Sequence, residues 1–126
     1  MPKLIDRYKI IKKISEGNIS IAYEAHDPGT GRDVVIKLLK QIDGPQAEEE
    51  FIKESRIIGR LNHHNIVSIF DVGDHEGRPF IAMELLKGEV LSSLMKDGKR
   101  FSWGMVSHVA LQIASALEYA HKQGVV

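Results

Sequence analysis

Two charged residues stand where charge is costly. Lys37 lies inside the apolar run VVIKLL (34–39), and Glu54 shares a helical face with Phe51, Ile58 and Leu61, spaced three, four and three. Left buried and unpaired, either charge would cost about 3–5 kcal/mol, so the two are expected to pair with each other. Taken singly, each has a plainer alternative: Lys37 snorkels to water, and Glu54 sits at the helix edge. Their occurrence in one strand–helix unit favours the pair. Upstream, residues 15–20 read SEGNIS, with Gly17 between Ser15 and Ser20. Without context this is a turn between two strands. A loop of small residues has a second use, because its backbone N–H groups approach phosphate oxygens without side-chain interference.

These residues need elements to position them. YKIIKKI (8–14) and IAYEAH (21–26) read as strands on either side of the SEGNIS loop. The turn-rich DPGTGRD (27–33) leads into VVIKLLK (34–40), which is apolar enough to expect cover on both faces. DGPQ (43–46) breaks the chain before a helical stretch over 47–61. IVSIFDV (66–72), the turn GDHEGR (73–78) and PFIAMELL (79–86) complete five strands. From Val90 the pattern is helical, with a short segment at LSSLM and a long one over 102–124. Five strands with one helix after the third, then helices, predict an α+β architecture.

Composition excludes several classes. Lys+Arg and Asp+Glu balance at 17 each, so no global charge points to nucleic acid or an anionic membrane. Cysteine is absent, which excludes a disulfide framework and thiolate catalysis. MPKLIDRYK has no apolar segment of the signal-peptide kind, and no run approaches the length of a membrane span. The six histidines show no metal-site spacing, and His63 in NHHN reads as a loop or capping residue.

In order and spacing, these segments resemble the eukaryotic-like serine/threonine protein kinases of bacteria, from Tyr8 to Val126. VVIK (34–37) resembles the family's V-A-I-K strand, and FIKES (51–55) the helix carrying the partner glutamate. LNHHNIV (61–67), RPFIAMELLKGEVL (78–91) and ALEYAHKQGVV (116–126) resemble the loop after that helix, the last strand with its hinge, and the helix before the catalytic loop. The resemblance implies that residues 1–83 form the ATP-binding lobe, 84–89 a hinge, and 90–126 the start of a helical lobe. It makes Lys37 the phosphate-contacting lysine and Glu54 its partner. It assigns Ser15, Gly17 and Ser20 to the phosphate loop, and Ala22 and Val35 to the adenine roof. Met83 becomes the gatekeeper, with the Glu84 carbonyl and Leu86 N–H facing adenine. Val90 falls where a ribose contact is common, with Glu89 beside it as a substitute. Ile58 and Ile69 fall in the hydrophobic stack behind the site.

The sequence also departs from the family pattern. Of the loop's glycines only Gly17 is kept; a left-handed backbone at Ser15 or Ser20 would cost about 1–2 kcal/mol. Ala22 and Val35 exchange the usual large and small roof residues, which conserves volume and predicts a shifted adenine. The H-R-D loop and D-F-G motif do not occur in these residues, so Mg²⁺ ligands and the catalytic aspartate are expected elsewhere, and the segment alone is expected to be inactive. The implied function is the ATP-binding portion of a kinase acting on a protein substrate. It would lie in the cytoplasm, alone or within a longer membrane-anchored protein, with no nucleic acid or membrane contact in this segment. The alternative is a pseudokinase or a nucleotide-binding regulatory module.

Overall fold

The structure, a computed structural model, describes residues 1–41, 45–98 and 100–126. Asp43 and Gly44 of the expected chain break lie outside the described residues. The strands are β1 (Leu4–Ile5), β2 (Tyr8–Glu16), β3 (Ser20–Asp27), β4 (Arg32–Leu39), β5 (Ile69–His75) and β6 (Arg78–Glu84). The helices are α1 (Pro45–Gly59), α2 (Leu91–Lys96) and α3 (Trp103–Lys122). One antiparallel sheet of six strands runs in the order β1-β2-β3-β4-β6-β5. The expected α+β fold is present, and the five strands read from the sequence gain a sixth. That strand, Leu4–Ile5, is too short to show alternation, yet its Ile5 is fully buried.

The chain divides into two compact units: residues 1–62 with 67–85, and residues 63–66 with 86–126. In the first, alternation along β4 sends Val34, Ile36 and Leu38 into a core with Ile5, Tyr8, Tyr23, Ala25, Phe80 and Ala82. The opposite face is covered only in part, where Phe51 of α1 packs against Leu39 and Ile81. The turns carry their own chemistry. Between β3 and β4, Asp27 accepts from the Gly29 N–H at 2.9 Å and the Thr30 hydroxyl at 2.9 Å. Between β5 and β6, Glu76 and Gly77 have φ of 51° and 80°, the two-residue hairpin turn that matches strand twist.

In the second unit, the Ser102 hydroxyl caps α3 by accepting from the Met105 N–H at 3.1 Å. His63 is a loop residue, as read from the sequence. Its Nδ1 accepts from the Asn65 N–H at 3.0 Å, so its proton sits on Nε2 and is donated to Ser115 Oγ at 3.1 Å.

Candidate functional site

Strand register brings the sequence-predicted residues onto one face. Ser15 pairs with Ala22, Ala22 with Lys37, and Lys37 with Ile81, so these form one row across β2, β3, β4 and β6. The next row, two residues along, joins Glu24, Val35, Met83 and Ile69. Directly opposed residues in an antiparallel sheet share a face. Ser15, Ala22, Val35, Lys37 and Met83 therefore look to the same side, opposite the buried Val34–Ile36–Leu38 stripe. Ala22, Val35 and Met83 are half-buried, and Lys37 is exposed.

Lys37 and Glu54 do not meet. Both are exposed, and among the described residues no ion pair joins them. The expected pairing is corrected on two physical grounds. First, Lys37 is exposed although Phe51 of α1 packs on Leu39 and Ile81 of the same face, so the ammonium stays in water and needs no partner. Second, α1 is rolled so that Phe51 and Ser55, not Glu54, point inward. Ser55 is 2% exposed, and its hydroxyl is satisfied by the Phe51 carbonyl one turn back at 2.6 Å. Spacings of three and four both continue a helical stripe from Phe51, and the sequence reading took the wrong one. A small inward residue that lets a helix approach a sheet closely is the signal that could have found Ser55.

The loop is simpler than the family pattern requires. It bridges the end of β2 and the start of β3, and the Gly17 N–H donates to the Ser20 carbonyl at 2.9 Å. Neither Ser15 nor Ser20 has a positive φ, so the left-handed cost foreseen for the serines is not incurred. A Cβ on Gly17 would meet only the Ser20 carbonyl oxygen, at 3.8 Å. The fold itself thus makes no demand for glycine at 17. Glu84 ends β6 in a reciprocal arrangement, its N–H donating to the Ser68 carbonyl at 2.9 Å and its carboxylate accepting from the Ser68 N–H at 3.2 Å. Leu86 belongs to the second unit and is 66% exposed.

An exposed lysine on this sheet face, beside the loop that carries Ser15, Gly17 and Ser20, suits an anionic ligand such as a nucleotide phosphate. Among the described residues no group of three or more His, Asp or Glu side chains could hold a metal ion.

Residues 8–126 match the family described as the protein kinase domain. The chain is similar to a probable serine/threonine-protein kinase of Clostridium acetobutylicum, with 36% identity over 126 residues, covering 98% of this chain and 19% of that protein. It is similar to the serine/threonine-protein kinase PknA of Mycobacterium tuberculosis, with 35% identity over 130 residues, covering 98% of this chain and 30% of that protein. Among solved structures it is similar in fold to the PknI kinase domain of Mycobacterium tuberculosis, with a TM-score of 0.79 and 24% identity. That likeness covers 96% of this chain and 50% of the other. The chain thus spans 19% and 30% of the length of these two curated relatives.

Proposed function

We propose a function from one premise, that this chain belongs to the protein kinase family. It is the ATP-binding portion of a serine/threonine kinase that moves the ATP γ-phosphate to a protein hydroxyl. Residues 1–83 act as the nucleotide lobe, 84–89 as the hinge, and 90–126 as the start of the helical lobe. Lys37 contacts the phosphates, and Ser15, Gly17 and Ser20 offer backbone N–H groups to them. Ala22 and Val35 pack on the adenine, Met83 backs it, and the Glu84 carbonyl and Leu86 N–H hydrogen-bond it. Mg²⁺, which neutralises developing charge in such transfers, would be held by residues of the longer protein. The reaction would take place in the cytoplasm; among the described residues no helix is long and apolar enough to cross a membrane.

The observation that carries this reading is the row Ser15–Ala22–Lys37, on one face with an exposed cation. Glu54, exposed on α1 and not paired with Lys37, is given no part in this reading. Titration calorimetry of the 126-residue chain with an ATP analogue tests the binding half. Lys37→Met should weaken affinity about tenfold, the worth of one charge-assisted contact to phosphate. Equal affinity in the variant would remove Lys37 from the site. In the longer protein the same substitution should abolish transfer. A second reading, a nucleotide-binding regulator without transfer, is favoured by the loop's missing glycines; a longer protein that binds ATP and transfers nothing would establish it.

A further inference from the structure

The loop that carries Gly17 is held by a device outside the family motif. Glu16 stands inside SEGNIS and takes one lysine on each carboxylate oxygen. Lys13 Nζ donates to Oε1 at 3.0 Å, and Lys40 Nζ donates to Oε2 at 2.8 Å. Lys40 adds a backbone tie, its N–H donating to the Ile19 carbonyl at 2.7 Å. With the Gly17–Ser20 bond inside the turn, four of the loop's residues are anchored by hydrogen bonds. Positions 15–19 are all exposed, and no residue from 15 to 20 has a positive φ, so neither packing nor a special turn conformation shapes this loop. Its position rests on these ties and on the β2–β3 ladder, which pairs Ser15 with Ala22 and Glu16 with Ile21.

The geometry matters for the face that Lys37 presents. Lys13 pairs across the sheet with Tyr23, a member of the buried core, and so belongs to the face away from Lys37. Lys40 follows the last residue of β4, and its ammonium reaches Glu16, whose cross-strand partner Ile21 packs against that same buried core. The two lysines therefore grip the loop from behind and leave the front free. A lone carboxylate in a loop meant for phosphate would repel it. Flanked by two ammonium groups, which hold the Glu16 carboxyl below its ordinary value, it sits in a cluster of net charge +1. We propose that Glu16 is a positioning residue: clamped by Lys13 and Lys40, it fixes the loop over the Lys37 face in place of the constraints the absent glycines would supply. This rests on the nucleotide reading given above for that face.

Hydrogen exchange at single amides of the 126-residue chain, corrected for intrinsic rates, tests the clamp directly. Glu16→Gln and Lys40→Met should each speed exchange of the Gly17 amide about threefold, while Lys40→Arg should match the parent. Salt at 1 M should give the parent chain the same acceleration and change the two variants little. ATP affinity separates positioning from charge, because Glu16→Gln raises the local charge and Lys40→Met lowers it. Positioning requires both to weaken ATP binding. If exchange is unchanged, and Glu16→Gln tightens ATP while Lys40→Met loosens it, the cluster acts by charge alone and the proposal fails. If the parent chain binds no ATP, the nucleotide reading fails, and the exchange rates still decide whether Glu16 holds the loop.

Discussion

Asp27 is 3% exposed and carries its charge in the interior of the turn it organises. The Arg7 guanidinium at 3.1 Å, ahead of the Thr30 hydroxyl and Gly29 N–H, holds its carboxyl down to about 2 against the opposing effect of burial. A carboxylate held below its ordinary value of 3.8 stabilises the fold at neutral pH and loses that contribution as pH falls from near 4 toward 2. Asp27→Asn should therefore lower the urea midpoint at pH 7 and flatten its decline between pH 4 and 2; a parallel decline in both proteins would remove Asp27 as the cause. Tyr8 shows the opposite sign. Burial first, then the hydrogen bond to Asp71 at 3.1 Å, pushes its phenol up to about 12 from 10.0. Its contribution is present below pH 10 and disappears as pH rises toward 12, so Tyr8→Phe should show a weaker alkaline loss than the parent. Val35→Ala tests the proposed adenine roof. The shifted-adenine reading expects nearly unchanged ATP affinity, and a large gain would mean that Val35 narrows the site.

At the scale of elements, the hairpin β5–β6 depends on one missing side chain. Gly73 lies opposite Phe80, and a Cβ at that position would stand 2.6 Å from the ring's Cζ and 2.7 Å from Cε1. Phe80 is fully buried and meets Tyr8 edge-on, with ring centroids 6.0 Å apart, so the ring has little room to yield. Gly73→Ala should cost about 1–3 kcal/mol, read as a lower denaturation midpoint. An unchanged midpoint would show that the ring moves at little cost. Helix α1 teaches a related lesson about roll. Phe51 anchors it whichever neighbour turns inward, and a choice between Glu54 and Ser55 changes the site without changing the helix. The helix was legible from the spacing of its apolar residues, whereas its rotation depends on what the sheet offers it.

Across the whole molecule, burial is unevenly divided. The first unit holds every fully buried side chain among the described residues, and the second holds none. Within that second unit α2 and α3 line an apolar groove of about 350 Å³ with Leu91, Leu94, Met105, Val109 and Ile113, while Trp103 is 87% exposed. Stability follows burial, so amides of β3, β4 and β6 should be the last to exchange and those of α3 should exchange earlier. Equal protection in both units would mean that the helical residues are covered in solution, for example by self-association through the apolar groove.

The sequence by itself determined the order of the helices and of every strand but β1, the class of fold and the family. Alternation, helical spacing and turn residues are local signals, and the order of VVIK, FIKES and LNHHNIV needs no coordinates. It placed Lys37 on a strand and Gly17 in a loop. Only the tertiary structure decided three matters. Register gathered Ser15, Ala22, Val35, Lys37 and Met83 on one face, because cross-strand pairing is a property of two segments and not of one. The roll of α1 put Ser55 inside and left Glu54 apart from Lys37, because a helical stripe continues equally well after three residues or four. And Lys40, 24 residues beyond Glu16, reached back to hold the loop, a contact that exists only when β4 lies beside β3.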